Sequence, residues 1–262
     1  MSVRNFFLSV FPAISAFSSS RQVVFCDFDG PIVDVSERYY QTYRKGLLAI
    51  EGAQIEAGKQ ALGLQPLSKT QFWDMKQRRV ADIEIALRSR VPEGLFEAYM
   101  QQVNRIVNHP SLLEWDRVQP SAQAALRYFK RRNMRLVLVT LRHPHQVKSF
   151  LQAEGLEHLV DEVYGAWDVN AAHANRVEQK CELLAEAIAQ QQAQGHNIQG
   201  SWMVGDTEAD VVAGQKMGLS TAALSCGVRS ADYLSELAPS KVYGCLLSAA
   251  REVVEPSVLQ VA

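Results

Sequence analysis

The chain has 262 residues, enough for one large domain, or a core with a sizeable insertion, at about 150 residues per domain. With 47 % hydrophobic and 21 % charged residues it has a globular composition, which excludes a wholly disordered, collagen-like or coiled-coil chain. Twenty-seven Lys plus Arg against 28 Asp plus Glu, a net charge of −1, lacks the basic excess that non-specific nucleic-acid binding draws on, so no nucleic-acid partner is expected. Cys26, Cys181, Cys226 and Cys245 form no CxxC pair. They signal neither a zinc site nor a disulfide framework and read as buried thiols of a reducing compartment.

At the N-terminus, residues 6–17 (FFLSVFPAISAF) make an apolar run after Arg4 that resembles the core of a signal peptide but is too short to span a bilayer. A single weak positive charge and an internal proline argue against export. Residues 1–20 are therefore read as an extension, with signal or anchor as the alternative, and the protein is expected in the cytoplasm. Any membrane association would run through this segment alone.

Residues 22–27 (QVVFCD) are an apolar, β-branched run ending abruptly in acid and glycine, the pattern of a buried strand delivering residues to a loop. From residue 36 to 109 no comparable strand appears. Helical stretches fill the interval: 36–50, 70–80, 81–90 and 92–107, the last with Pro92 suited to a first helical turn. Alternation then resumes. A helix over 121–133 ends in Lys130, Arg131 and Arg132, with Asn133 as a left-handed stop. Strand RLVLVT (135–140), a helix over 145–156, a short strand DEVYGA, a long helix closed by Gly195, strand SWMVGD, a helix from 207, strand STAALSCG and a final helix over 246–255 follow. This order predicts an α/β fold, a parallel Rossmann-like sheet with an inserted helical cap. The expected division is 21–35 and 117–262 as core and 36–116 as cap.

In open parallel sheets ligands bind outside the carboxyl ends of the strands. Three strands end suggestively: the first in Asp27-Phe28-Asp29-Gly30, the second in Thr140, the third in Gly205-Asp206 followed by Asp210. Gathering these carboxylates at one sheet edge concentrates negative charge that a divalent cation relieves, and oxygen-only ligands favour magnesium.

DFDGPIVD, a strand ending in Thr140, Lys180 near a helix start, and VGDTEADVVAGQKMG together resemble the haloacid dehalogenase superfamily, in the family's order. The helical segment between the first two motifs looks like the cap of phosphoglycolate phosphatases and β-phosphoglucomutases. The stretch between Thr140 and Lys180 is too short for the larger α/β cap of other branches. The resemblance implies a Mg2+-dependent phosphatase acting on a small phosphorylated metabolite. Asp27 would be the nucleophile and a metal ligand. Asp29 would be the general acid and base, touching the metal through its backbone carbonyl. Asp206 would complete the metal ligands, Asp210 would support them or Lys180, and Thr140 and Lys180 would bind and neutralise the phosphoryl group. Asp27, Asp206 and a dianionic phosphoryl group bring about −4, against about +3 from magnesium and Lys180, a tolerable remainder.

Two departures from the family pattern stand out. Pro31 replaces the usual threonine or valine and removes a backbone donor, and Cys181 replaces the proline that usually follows the third-motif lysine. A mutase or dehalogenase on the same fold, or a regulatory protein without turnover, are the competing readings, although dehalogenases of the family lack an acid at the Asp29 position. Arg142, Lys76 and Arg79 are candidate substrate contacts, with Arg38, His143 and His145 behind them. Trp73, Tyr39, Tyr40 and Tyr43 read as core rather than ligand contacts.

Overall fold

The computed structural model describes residues 20–169 and 171–254, so the apolar run at 6–17 lies outside the described residues. A six-stranded parallel sheet has the order β5-β4-β1-β6-β7-β8. Its strands are β1 (Gln22–Cys26), β4 (Arg135–Thr140), β5 (Glu162–Gly165), β6 (Asn197–Gly205), β7 (Ser220–Leu224) and β8 (Lys241–Tyr243). The continuous apolar runs of β1 and β4 follow from burial on both faces. Val24, Cys26, Leu136 and Leu138 pack on one side with Leu126, Phe129 and Leu246. Val23, Phe25, Val137 and Val139 pack on the other with Leu184 and Ala187. One face is covered by α6 (Ala122–Arg131) and α12 (Leu246–Val254), the other by α9 (Val177–Ala193) and α10 (Glu208–Lys216). The predicted stops hold, with Asn133 at φ 52° after α6 and Gly195 at φ 80° after α9.

Between β1 and β4 the chain builds α1 (Ser36–Glu56), α2 (Lys69–Gln77), α3 (Asp82–Arg88), α4 (Phe96–Ile106) and α5 (Pro110–Leu113). These helices enclose a hydrophobic cluster of their own, with Tyr43, Leu47, Phe72, Met75, Ile85 and Tyr99 at its centre. Pro92 stands just before a 3-10 turn over Glu93–Leu95, so α4 starts one turn later than its pattern suggests. The chain leaves and re-enters the core through an antiparallel pair, β2 (Val33–Asp34) with β3 (Arg117–Val118), in register Val33 with Val118 and Asp34 with Arg117.

The remaining elements are α7 (Pro144–Ala153), α8 (Ala171–Ala174) and α11 (Ala231–Glu236). β6 begins earlier than SWMVGD suggests, because Asn197 pairs with Gln22 ahead of an irregularity in the ladder against β1, where Gly200 stands at φ 73°. The cysteine expectation needs correcting: Cys26 is buried, but Cys181, Cys226 and Cys245 are half-buried, and all four are free thiols. Among the described residues no helix is long and apolar enough to cross a membrane.

Candidate active site

The chain runs from β1 out to β4 and β5 on one side and returns as β6 on the other, so the ends of β1, β4 and β6 border the crevice where such sheets bind ligands. Asp27, one residue past β1, donates its amide to Val204 O at 2.8 Å and is 6 % exposed. Its Oδ1 accepts from Phe28 N at 2.7 Å and lies 3.1 Å from Lys180 Nζ. Lys180, in the first turn of α9, reaches under the sheet edge to Asp210 Oδ1 at 2.7 Å and Val139 O at 3.1 Å. Its three donors are thus all engaged. Burial opposes its charge, but Asp210 and Asp27 outweigh that and raise its pKa.

Asp210 is held from its other oxygen, which accepts from Thr207 N at 3.0 Å, Thr207 Oγ1 at 2.8 Å and Asp206 N at 3.2 Å. Asp206 Oδ2 accepts from Val228 N at 2.6 Å, while its Oδ1 is buried with no hydrogen-bond partner. The Asp206 carboxylate is wedged between two glycines. A Cβ on Gly30, at φ 88°, would stand 2.1 Å from Asp206 Cγ, and one on Gly227 would stand 2.0 Å from Asp206 Oδ2.

Burial and Asp210 push the Asp27 carboxyl up to about 7, and burial with Asp210 and Asp27 pushes Asp206 well above the usual carboxylate range. These are the signs of a site short of positive charge. Asp27, Asp206 and Asp210 each offer an oxygen within 4.8 Å of the others. An all-oxygen set with an orphaned buried oxygen fits a hard divalent cation such as magnesium.

Pro31 does no damage to this loop. Gly30 N donates to Val33 O at 2.9 Å, and Ile32 N and Val33 N both donate to Phe28 O at 3.1 Å, so the turn closes without a donor at position 31. Thr140 is buried at the end of β4 and accepts from Arg142 N at 3.2 Å.

A cavity of about 50 Å³ joins Asp27, Asp29, Thr140 and Asp206 to Tyr39 and Lys76 of the insertion and to His173, Asn175 and Arg229 of the core. Lys76 therefore faces the pocket, paired with Asp82 at 2.8 Å. The other two candidate substrate contacts do not. Arg79 pairs with Glu208 at 2.8 Å outside the cavity lining. It helps seat the insertion on the core, beside Ser230 N donating to Gln77 O at 2.9 Å and Gln77 Nε2 donating to Gly227 O at 3.2 Å. Arg142 is buried against Asp29 and Asp116, and Arg38 joins the same pair of carboxylates. His143 and His145 stack on each other at 5.4 Å, both edge-on to the exposed Trp167 and away from the pocket. Tyr39 packs against both hydrophobic clusters, as its pattern reads, and also lines the pocket, whereas Tyr43 lies in the insertion's cluster as expected.

Sequence reasoning missed His173, Asn175, Arg229 and Asp116; only Arg229, in the loop after a strand end, had a positional signal. Burial, with Lys76 nearby, pushes the His173 imidazole down to about 4 against the opposing pull of Asp82. The unfolded chain then binds a proton that the folded chain refuses between about pH 4 and its ordinary value of 6.5. Stability is full above that window and declines as pH falls through it. His173→Gln should flatten this part of the profile in urea denaturation across pH; an unchanged slope would locate the titration elsewhere.

The haloacid dehalogenase-like hydrolase family model matches residues 23–224. No curated protein sequence matches the chain. Similar solved structures include a predicted phosphatase from Clostridium acetobutylicum, with 16 % identity and TM-score 0.62 over 90 % of this chain and 100 % of that one. A predicted phosphoglycolate phosphatase from Haemophilus somnus has 17 % identity and TM-score 0.55 over 88 % and 97 %. Protein Tyrosine Kinase A of Mycobacterium tuberculosis has 19 % identity and TM-score 0.61 over 90 % and 99 %. At these identities the structural likeness speaks for the fold, and the family match speaks for an enzyme. With the motif-bearing strands inside the matched residues, the chain belongs to the haloacid dehalogenase-like hydrolase family.

Proposed function

We propose that the chain is a magnesium-dependent phosphatase that hydrolyses a small phosphorylated metabolite, phosphoglycolate-like or a sugar phosphate, through an aspartyl-phosphate on Asp27. Residues 36–116 act as the cap. The observation that carries this reading is one buried ammonium, Lys180, held between Asp27 and Asp210 beside the unpartnered oxygen of Asp206. That arrangement suits a nucleophilic carboxylate, a cation and a phosphoryl group sharing one pocket.

Asp27, Asp206 and the Asp29 carbonyl would hold the magnesium ion, with Asp210 behind them. When bound, it supplies positive charge to the phosphoryl oxygens. Asp27 Oδ1 is already engaged by Phe28 N and Lys180, which leaves the other oxygen for attack on phosphorus. Attack forms the Asp27–phosphorus bond and breaks the bond to the leaving alcohol, to which Asp29 gives a proton. Asp29 then takes a proton from the water that cleaves the acyl-phosphate. Thr140 and neighbouring amides bind phosphoryl oxygens, and Lys180 balances charge as the transition state forms. On the leaving-group side, the small cavity with Lys76, Tyr39 and His173 favours a compact substrate with polar or anionic groups. Arg79 and Arg142 receive no substrate contact in this reading.

The test is a panel of phosphorylated metabolites and phosphopeptides with and without magnesium. Turnover should be lost in excess chelator, return with magnesium, manganese or cobalt, and be inhibited by calcium, whose higher coordination number lets it occupy both oxygens of the nucleophile. Metabolites should far outpace phosphopeptides, because a cap over the site excludes bulky substrates as well as water. Full activity in chelator would remove the metal, and equal rates on phosphopeptides would remove the closing cap.

A further inference from the structure

Around Asp29, which lines the pocket, the buried Arg38, Arg142 and Asp116 close a ring of four charges. Arg38 donates from Nη2 to Asp29 Oδ2 at 3.0 Å and from Nε to Asp116 Oδ1 at 2.9 Å. Arg142 donates from Nε to Asp29 Oδ2 at 3.2 Å, and its Nη2 lies 3.0 Å from Asp29 Oδ1 and 2.7 Å from Asp116 Oδ2. Asp116 thus gives one oxygen to each guanidinium and spaces the two forks so that both converge on Asp29. Further contacts fix the arginines. Arg38 Nη1 donates to Asn108 Oδ1 at 2.8 Å, and the Arg142 guanidinium lies 5.3 Å from the centre of the Phe28 ring. Arg38, Arg142 and Asp116 are at most 3 % exposed.

Burying Arg38, Arg142 and Asp116 against the half-buried Asp29 is costly, and a well-packed apolar cluster would serve stability as well or better. What an ionic ring supplies is a fixed geometry, because a planar guanidinium can bridge two carboxylates as a lysine ammonium does not. The ring's members also come from telling places. Arg38 stands in the first turn of α1, just past β2; Asp116 immediately precedes β3; and Arg142 is two residues beyond Thr140. The first crossing between core and cap and the loop after β4 therefore meet on Asp29, and the second crossing joins them through Asp116.

We propose that Arg38 and Arg142, spaced by Asp116, are the positioning residues of Asp29, fixing its carboxylate in one orientation at the wall of the pocket while the cap's first helix is seated. This rests on the phosphatase reading above for its chemistry, though not for its geometry. Arg142 then acts through Asp29 and not on substrate.

The experiment compares Arg142→Lys, Arg38→Lys and the charge-neutral pair Arg142→Met with Asp116→Leu, each checked for folding by thermal melting. Each is assayed on an alkyl phosphate and on 4-nitrophenyl phosphate, whose phenolate leaves with little need of a proton. The expected result is a fall in kcat of about 10²-fold on the alkyl phosphate, in the range of lost acid–base help. On the aryl phosphate the fall should be only a few-fold, with KM nearly unchanged on both. In an Asp29→Asn background, Arg142→Lys should have almost no further effect on the ratio of the two rates, since both changes act through one group. Equal losses on both substrates that follow the loss of melting temperature, or additive effects in the double variant, would overturn the proposal in favour of a purely structural ring. A crystal structure of Arg142→Lys reads the geometry alone: a displaced Asp29 carboxylate supports the proposal, and an unmoved one overturns it. If the unsubstituted protein turns over neither phosphate, the phosphatase reading fails, and the crystal structure still decides whether the ring positions Asp29.

Discussion

Asp27→Asn should reduce phosphatase turnover to background on every substrate, alkyl or aryl, with or without magnesium. An amide cannot attack phosphorus, and the change also removes one of the three carboxylates gathered around the candidate metal position. The loss should be chemical and not a failure to fold. Asp27 shares a single buried ammonium with Asp210, and its carboxyl is pushed up to about 7 by burial and by Asp210, so a neutral side chain of the same shape relieves repulsion there. Circular dichroism and melting should therefore match the parent while steady-state turnover disappears. Residual turnover well above background in a folded Asp27→Asn protein would assign the nucleophile elsewhere.

Asp29→Asn should cost about 10²- to 10⁴-fold on alkyl phosphates, the range of lost general acid–base help. Aryl phosphates should suffer less in the transfer step because phenolate departs easily. The same substitution separates the rival chemistries of the fold. Halide needs no proton to leave, so a dehalogenase would be far less sensitive at this position. Hydrolysis of alkyl phosphates at the parent rate by Asp29→Asn would show that Asp29 is not the acid. Together the two substitutions distinguish loss of the nucleophile, which spares no substrate, from loss of the acid, which spares good leaving groups.

What could be read from the sequence was whatever lay in short contiguous strings. DFDG and GDTEAD end apolar runs, and a parallel sheet brings such ends to one edge, so Asp27, Asp206 and Asp210 meet as expected. Lys180 was legible despite the missing proline after it, because a helix start behind the sheet suffices to bring its ammonium to Asp27. The elements that escaped are too short for periodicity. β8 has three residues, and β2 and β3 have two each, so only pairing with distant segments defines them.

The ring around Asp29 escaped for a related reason. Arg38 and Asp116 are 78 residues apart, and Arg142 is 113 from Asp29. On a helix in isolation a buried arginine looks like any solvated surface charge. Arg79 misled in the opposite direction: it stands close to Lys76 in sequence, but its backbone turns to φ 60° past the end of α2 and sends the side chain to Glu208 instead of the pocket.

In the proposed reaction the phosphoryl group passes through Asp27. Mixing the protein with magnesium and an aryl phosphate, quenching with acid during turnover and mapping the digested chain by mass spectrometry tests it directly. One phosphoryl group is expected on the peptide carrying Asp27, lost on treatment with hydroxylamine and absent from Asp27→Asn. Sustained turnover with Asp27 unmodified at every quench time, in a protein where the group accumulates on another residue, would contradict it.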